Sequence, residues 1–304
     1  MKLPVSIFGC SVQSQILRPD CMGPSRLTDH QSGLAAIVVA ALVWSTGGLF
    51  IKLLSQNAYT ILCYRAAFAA LIFALWYGKK VFRFSRTTLL VAVFYAGLVT
   101  AFVVATKLTT AANAIFLQYT APIYLILLEP LLFKFRQPRI NLITLVVCLL
   151  GMGLFFIGDL AFYNLKGILI ALSSGVFLAG LLLAQRYNHP DRHEAGIFWG
   201  NIIVFLLFLP VAFQSPLPSP AEWGMLAFLG LIQIGVGYMF FTYGLKRVMA
   251  IESALIAMLE PVLNPVWVLI GYGEMPSAGA AFGGFIIIGM LVLRTIITER
   301  KKAF

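Results

Sequence analysis

A chain of 304 residues that is 61% hydrophobic and only 11% charged has too little charge to cover a water-facing surface, which excludes an ordinary soluble domain. The formal net charge of +11 does not point to nucleic acid, because the basic side chains sit in short tracts between apolar runs, with no recognised binding module. The four cysteines, Cys10 and Cys21 near the N-terminus and Cys63 and Cys148 in apolar runs, form no CxxC and no Cys/His cluster, so no metal, disulfide framework or cofactor is implied.

Residues 1–32 carry Pro4, Pro19 and Pro24 and only a short apolar patch, which predicts a disordered cytoplasmic tail. The run ending at Cys10 has a hydrophobic core too short for a signal peptide, and Met22 offers a later start. Ten apolar runs long enough to span a bilayer then follow, at 34–54, 59–77, 87–108, 111–133, 141–157, 167–187, 195–213, 222–245, 250–272 and 280–297, before a tail at 299–304. The connections are short and leave no room for a soluble catalytic domain.

Basic residues fall on alternate connections: Lys79, Lys80, Arg83 and Arg86, then Lys134, Arg136 and Arg139, then Arg186 and Arg192, then Lys246 and Arg247, then Arg300, Lys301 and Lys302. The other side receives only Lys52, Lys107 and Lys166, with Arg65 and Arg294 set aside because they lie within spans. The positive-inside bias therefore predicts a multi-pass protein of the plasma membrane, the inner membrane in a bacterium, with both termini cytoplasmic.

The two halves resemble each other. Lys107 precedes Pro122 in the fourth span as Lys246 precedes Pro261 in the ninth, and Trp44 to Gly47 sits at a depth comparable to Ser173 to Phe177. Each half (33–158 and 159–298) reads as five spans, and because five is odd the second half enters the membrane upside down. The fold expectation is thus an all-α integral membrane protein of ten transmembrane helices, two inverted five-helix repeats around a central cavity.

In the ninth span Ser253, Ala257, Glu260, Asn264, Trp267 and Gly271 share one stripe, while leucines, valines and isoleucines cover the rest. Charge in hydrocarbon costs at least about 2.5 kcal/mol, so this face should look into the bundle or a wet cavity. Glu260 either binds a solute amine or carries a proton, or it is locked to a donor such as Arg65 or Gln118. Pro261 removes one backbone hydrogen bond, freeing the carbonyl near residue 257, so a kink or a polar contact is expected beside Glu260.

The fourth span presents Gln118, Tyr119, Pro122 and Glu129, a face that mirrors the ninth. Glu129 lies close to Lys134 and Arg136, however, and can equally pair at the membrane rim. Arg65 either binds a solute carboxylate, reaches the outer interface or neutralises Glu260. Gln233 and Tyr238 in the eighth span project into a cavity, or else that span's glycines serve packing alone. Trp44, Tyr95, Tyr119, Tyr238 and Trp267 are candidates for an aromatic cage. Gly279, Gly283, Ala280 and Gly284 have small-xxx-small spacing for packing within the bundle or for a homodimer seam, so monomer and homodimer both stand. His189, Asp191 and His193 surround Pro190 and read as a solvated loop rather than a metal site.

The two-times-five pattern, the element Leu259-Glu260-Pro261-Val262 with the turn through Gly273 and Glu274, and Arg65 in the second span resemble the drug/metabolite transporter superfamily, EamA type, over residues 33 to 298. The fourth span ends Phe133 to Pro138 where the family often has a GlyGlu turn. The resemblance implies export or uptake of small metabolites, amino acids or drugs across a lipid membrane, often with proton exchange. The sequence holds no HExxH, GxSxG or P-loop pattern, which weighs against an intramembrane enzyme acting on lipid or peptide and excludes an intrinsic ATP motor. A secondary active transporter, reading as an exporter of small organic solutes, is the expectation.

Overall fold

A computed structural model describes residues 25–109, 111–134, 137–155, 164–272 and 278–302. The elements are α1 (Ser25–Trp44), α2 (Gly47–Leu53), α3 (Ala58–Tyr77), α4 (Arg86–Leu108), α5 (Ala111–Gln118), α6 (Ala121–Phe133), α7 (Arg139–Phe155) and α8 (Leu165–Tyr187). They continue with α9 (His193–Gln214), α10 (Pro220–Ala227), a π-helical stretch (Phe228–Val236), α11 (Gly237–Leu245), α12 (Ala250–Ala257), α13 (Leu259–Tyr272) and α14 (Ala278–Lys302). Among the described residues nine helices are long and apolar enough to cross a membrane, and the apolar helix Arg139–Leu154 is the shorter tenth. The protein is thus all-helical and multi-pass, as the sequence predicts. The first helix begins at Ser25, nine residues before the expected start at Leu34, because no proline follows Pro24 in this stretch. The rest of the expected tail, residues 1–24, the turn through Gly273 and Glu274, and the last residues, 303–304, lie outside the described residues.

Local chemistry sets the helix ends. Asn57 caps α3 by accepting from the backbone N–H groups of Tyr59 and Thr60, Ser85 caps α4 through Thr88, and Asn164 caps α8 through Gly167. Ser219 and Glu222 form a reciprocal capping box on α10. Each cap is worth about 1 kcal/mol. Gly78, with φ +55°, stops α3, and Lys134 in the left-handed region stops α6.

Three spans are broken in their middle. In the fourth and the ninth, the breaks at Tyr119–Thr120 and Met258 each precede a proline, Pro122 or Pro261, whose missing N–H leaves the carbonyl four residues earlier without its helical partner. The break in the first span was not expected from sequence, since no proline is there. Instead Ser45 Oγ donates to the Leu42 carbonyl and Thr46 Oγ1 to the Val43 carbonyl, both at 2.7 Å, and Gly47 and Gly48 follow. The π-helical widening of the eighth span was likewise unforeseen; it coincides with Gly230 and Gly235.

Packing pairs the spans. α4 lies on α8, and α11 on α1; α5 and α6 lie on α8, and α12 and α13 on α1; α3 meets α9 and α7 meets α14. Small residues allow these approaches: a side chain at Gly151 would meet the Gly283 carbonyl at 3.1 Å, so Gly283 packs inside the bundle against α7. Large apolar side chains turn the other way, Phe213, Leu131, Trp76 and Phe285 all being more than 70% exposed. A belt of that kind is tolerable only against lipid.

Candidate functional site

The three breaks converge. A small internal pocket of about 50 Å³ is lined by Trp44 at the break of the first span, Gln118 and Tyr119 at that of the fourth, Ala257 and Glu260 at that of the ninth, and by Arg65, Gln233 and Tyr238. Apolar walls from Leu98, Phe102, Leu178 and Leu182 complete it. Eight of the sequence-predicted positions therefore bear directly on this region: Glu260, Gln118, Tyr119, Arg65, Trp44, Gln233 and Tyr238 as lining residues, and Pro261 as the cause of one break.

Glu260 is 4% exposed and faces inward. Its Oε2 lies 2.7 Å from the Tyr119 hydroxyl, which is also 2.5 Å from the Ala257 carbonyl oxygen. The tyrosine from the fourth span thus reaches the carbonyl that Pro261 releases in the ninth, the contact expected there. Among the described residues Glu260 pairs with neither Arg65 nor Gln118, the two donors that the sequence suggested.

Arg65 is 3% exposed, and among the described residues its guanidinium has neither a hydrogen bond nor an ion pair. It lies within electrostatic reach of Tyr95 and Tyr238. Gln118 Oε1, Gln233 Oε1 and Trp44 Nε1 are also buried without a partner. Gln233 Nε2 is 3.5 Å from the Trp44 carbonyl, a contact at the outer limit of a hydrogen bond.

Other predicted residues stand behind or away from the pocket. Trp44 and Tyr238 are tilted with ring centroids 4.7 Å apart, and Tyr95 meets Tyr238 edge-on at 5.1 Å, but the Tyr95 hydroxyl donates to Asn201 Oδ1 at 3.0 Å and so ties α4 to α9. Trp267 donates from Nε1 to Ser45 Oγ at 2.7 Å, bracing the ninth span on the break of the first. Asn264 is buried, and its amide nitrogen has no partner among the described residues. Pro122 sits in the first turn of α6. Glu129 is remote from the pocket: it is fully buried, pairs with Arg186 of α8 and accepts from Gln137 Nε2 at 3.0 Å.

Glu129 belongs to a polar chain that sequence reasoning missed. Gln137 Oε1 accepts from Asn141 at 3.1 Å, Asn141 Oδ1 accepts from Arg294 Nε and Nη2, Arg294 Nη1 donates to Glu252 at 3.1 Å, and Glu252 Oε2 is 3.2 Å from His30 Nε2. This chain joins α8, α6, α7, α14, α12 and α1 at the end where the basic connections lie. The available signal was that Glu252 and Arg294, opposite charges inside apolar spans, each required a partner. Beside it opens a larger cavity of about 570 Å³, lined by Asn141, Arg186, Lys246, Arg247, Glu252 and Arg294 among others. Among its walls Arg294 is bonded to both Asn141 and Glu252, whereas in the small pocket Tyr119 and Glu260 are bonded and Arg65, among the described residues, is not.

The opposite end is closed. Lys52 Nζ donates to the Thr109 carbonyl and Lys107 Nζ to the Leu54 carbonyl, each at 2.6 Å, so two lysines cross between connections. Ser55 donates from N and Oγ to Glu222, and Asn57 donates to Ser215. At the basic end His193 turns inward while His189 and Asp191 stay exposed, so the three do not converge.

Comparison with known proteins adds an independent finding. The profile of the EamA-like transporter family matches residues 31–157 and again residues 165–295. An uncharacterized transporter of Archaeoglobus fulgidus is 27% identical over 86% of this chain and 95% of its own. The uncharacterized transporter YwfM of Bacillus subtilis is 26% identical, with 88% and 95% covered. The pseudopaline exporter CntI of Pseudomonas aeruginosa is 26% identical, with 85% and 94% covered. A solved crystal structure superposes with a TM-score of 0.75 at 18% identity, covering 88% of this chain and 98% of that one, a likeness of fold.

Proposed function

The chain belongs to the EamA-like transporter family, and from that premise we propose that it is a secondary active exporter of a small organic solute, working by alternating access around the pocket at the three helix breaks. The solute site comprises Glu260, Tyr119, Gln118, Arg65, Gln233, Tyr238 and Trp44, with Pro122 and Pro261 holding the breaks open. Trp267 and Tyr95 brace its walls, and the buried Asn264 lies one turn beyond Glu260. Export is preferred to import because one relative of similar length is named an exporter. The protein lies in the plasma membrane, or the inner membrane of a bacterium, with the basic end and both termini in the cytoplasm.

Two observations support an inverted pair of five-helix halves. The family profile matches each half separately, and the helix neighbours are preserved when the halves are exchanged: third span on sixth as eighth on first, fourth on sixth as ninth on first. With the lysine-crossed end shut and the large cavity at the basic end, this conformation is the inward-facing one.

The observation that carries the coupling is the pair of short contacts at Tyr119. A phenol has one proton and cannot donate to both the Ala257 carbonyl and Glu260. The set is complete when Tyr119 donates to Ala257 and a protonated Glu260 donates to Tyr119. We assign this arrangement to the proton-loaded form, so that proton release into the cytoplasm is linked to solute loading and proton uptake from outside to solute release.

The test is flux of labelled solutes in proteoliposomes, with and without a pH gradient. Glu260→Gln retains the donor to Tyr119 and is expected to fold and insert, yet to lose the response to the gradient. Flux that keeps its full gradient dependence in this variant removes Glu260 from the coupling. Chemical alteration of a lipid or peptide with no solute movement overturns the carrier reading in favour of an intramembrane enzyme.

A further inference from the structure

The pocket contains one cation and one carboxyl group, and they are not equally served. Glu260 has the Tyr119 hydroxyl at 2.7 Å, while Arg65, equally deep, has no partner among the described residues. A guanidinium offers five N–H donors in a planar fork and never loses its charge in a protein. Left alone in a low-dielectric interior it is among the most unfavourable groups a chain can bury. The Tyr95 and Tyr238 hydroxyls within its electrostatic reach do not supply a counter-charge, and the Tyr95 hydroxyl is already committed to Asn201.

Resting on the carrier reading above, we infer that the transported solute is an organic anion whose carboxylate is seated on the Arg65 guanidinium. The unmet demand of the pocket has this sign and shape: a fork of donors calls for a planar, bidentate acceptor. Trp44 Nε1 is packed against Gly237 and is not one of these donors. The unpartnered Oε1 atoms of Gln118 and Gln233 then call for an N–H or O–H group elsewhere on the same molecule. The solute is therefore a small carboxylate that also carries a hydrogen-bond donor, rather than the amine or aromatic cation that a lone glutamate and an aromatic cage suggest.

Space agrees with a head group entering first. A water needs roughly 10–15 Å³ of such volume, so the pocket's 50 Å³ takes a carboxylate and little else in this conformation. The remainder of the solute lies toward the large cavity. α12 connects the two spaces, since Ala254 and Ala257 line the pocket while Ala250 and Glu252 line the cavity. That cavity is lined by Arg186, Lys246 and Arg247, of which Arg186 and Lys246 are paired with Glu129 and Glu194.

The experiment uses the full chain in nanodiscs and matched probes that differ only in charge: L-glutamate against L-glutamine, and benzoate against benzamide, in gluconate and in chloride buffers. The carboxylate of at least one pair is expected to raise the unfolding temperature while its amide does not. Arg65→Met is expected to weaken that binding by roughly 10- to 150-fold, the range for a hydrogen bond to a charged group, and Arg65→Lys by less. Should Arg65→Met fail to fold, the wild-type difference within each pair decides alone. Stabilisation by spermidine or tetraethylammonium and by no carboxylate overturns the inference, as does a shift produced by chloride to which carboxylates add nothing. Flux of the same labelled probes separates the two readings: a moving cation with no moving carboxylate sinks the anionic seat and leaves the carrier, whereas no moving solute sinks the carrier.

Discussion

Arg65 and Arg294 are both 3% exposed, yet their surroundings are opposite. Arg294 is saturated, with Asn141 accepting from Nε and Nη2 and Glu252 accepting from Nη1, inside a chain of contacts that joins six helices at the basic end. Arg65 sits at the meeting point of three broken spans with no partner among the described residues. Equal burial therefore does not mean equal work. Arg294 joins helices through its partners, whereas Arg65 is the proposed seat of a transient charged visitor.

Substitutions should expose this difference, and the largest effect is expected at the saturated end. Arg294→Met leaves Glu252 buried with only His30 beside it, and breaking a buried ion pair costs about 3–5 kcal/mol. A strong fall in the thermal midpoint of the purified protein should follow, and Glu252→Gln added to it should recover much of the loss, a non-additivity that a double-mutant cycle measures. If the two losses simply add, the chain of contacts does not act as a unit.

A middle-sized effect belongs to Tyr119→Phe. It leaves the Ala257 carbonyl without its donor at the break of the ninth span, at about 1–3 kcal/mol, and flux should respond to pH differently from the parent. Trp267→Phe removes only the bond to Ser45, one interhelical hydrogen bond worth about 0.6 kcal/mol and at most about 1.7. Equilibrium unfolding in mixed detergent resolves that ranking. The smallest expected change in stability is at Arg65 itself: Arg65→Met should be neutral or slightly stabilising, since an unpaired charge is replaced by an apolar side chain of similar length.

Much of this arrangement was legible in the sequence, and what was not has a physical reason. The spans follow from apolar length, and the released carbonyl near residue 257 follows from Pro261 alone, because a missing N–H is a local fact. The pairing of that carbonyl with Tyr119 is not local: it depends on the fourth and ninth spans meeting. The same limit hid the Glu252–Arg294 pair, separated by 42 residues, although each charge was visible inside its own span. The break of the first span escaped notice because Ser45 and Thr46 make it with hydroxyls rather than with a proline. Helical periodicity places Glu129 on the solute face, and its nearness to Lys134 and Arg136 equally suits a rim carboxylate. The structure gives it Arg186 of α8 as a partner at the basic end, while Arg136 of the adjacent tract lies outside the described residues.

The comparison between the two arginines reduces to a single paired measurement. Arg65→Met and the parent protein, prepared side by side, are assayed for thermal stability in nanodiscs and for solute flux in proteoliposomes. The account predicts that Arg65→Met melts at or above the parent temperature while flux of carboxylate solutes is lost. A large fall in melting temperature with flux per folded molecule preserved would contradict it, and would place Arg65 with Arg294 among the groups that hold the bundle together.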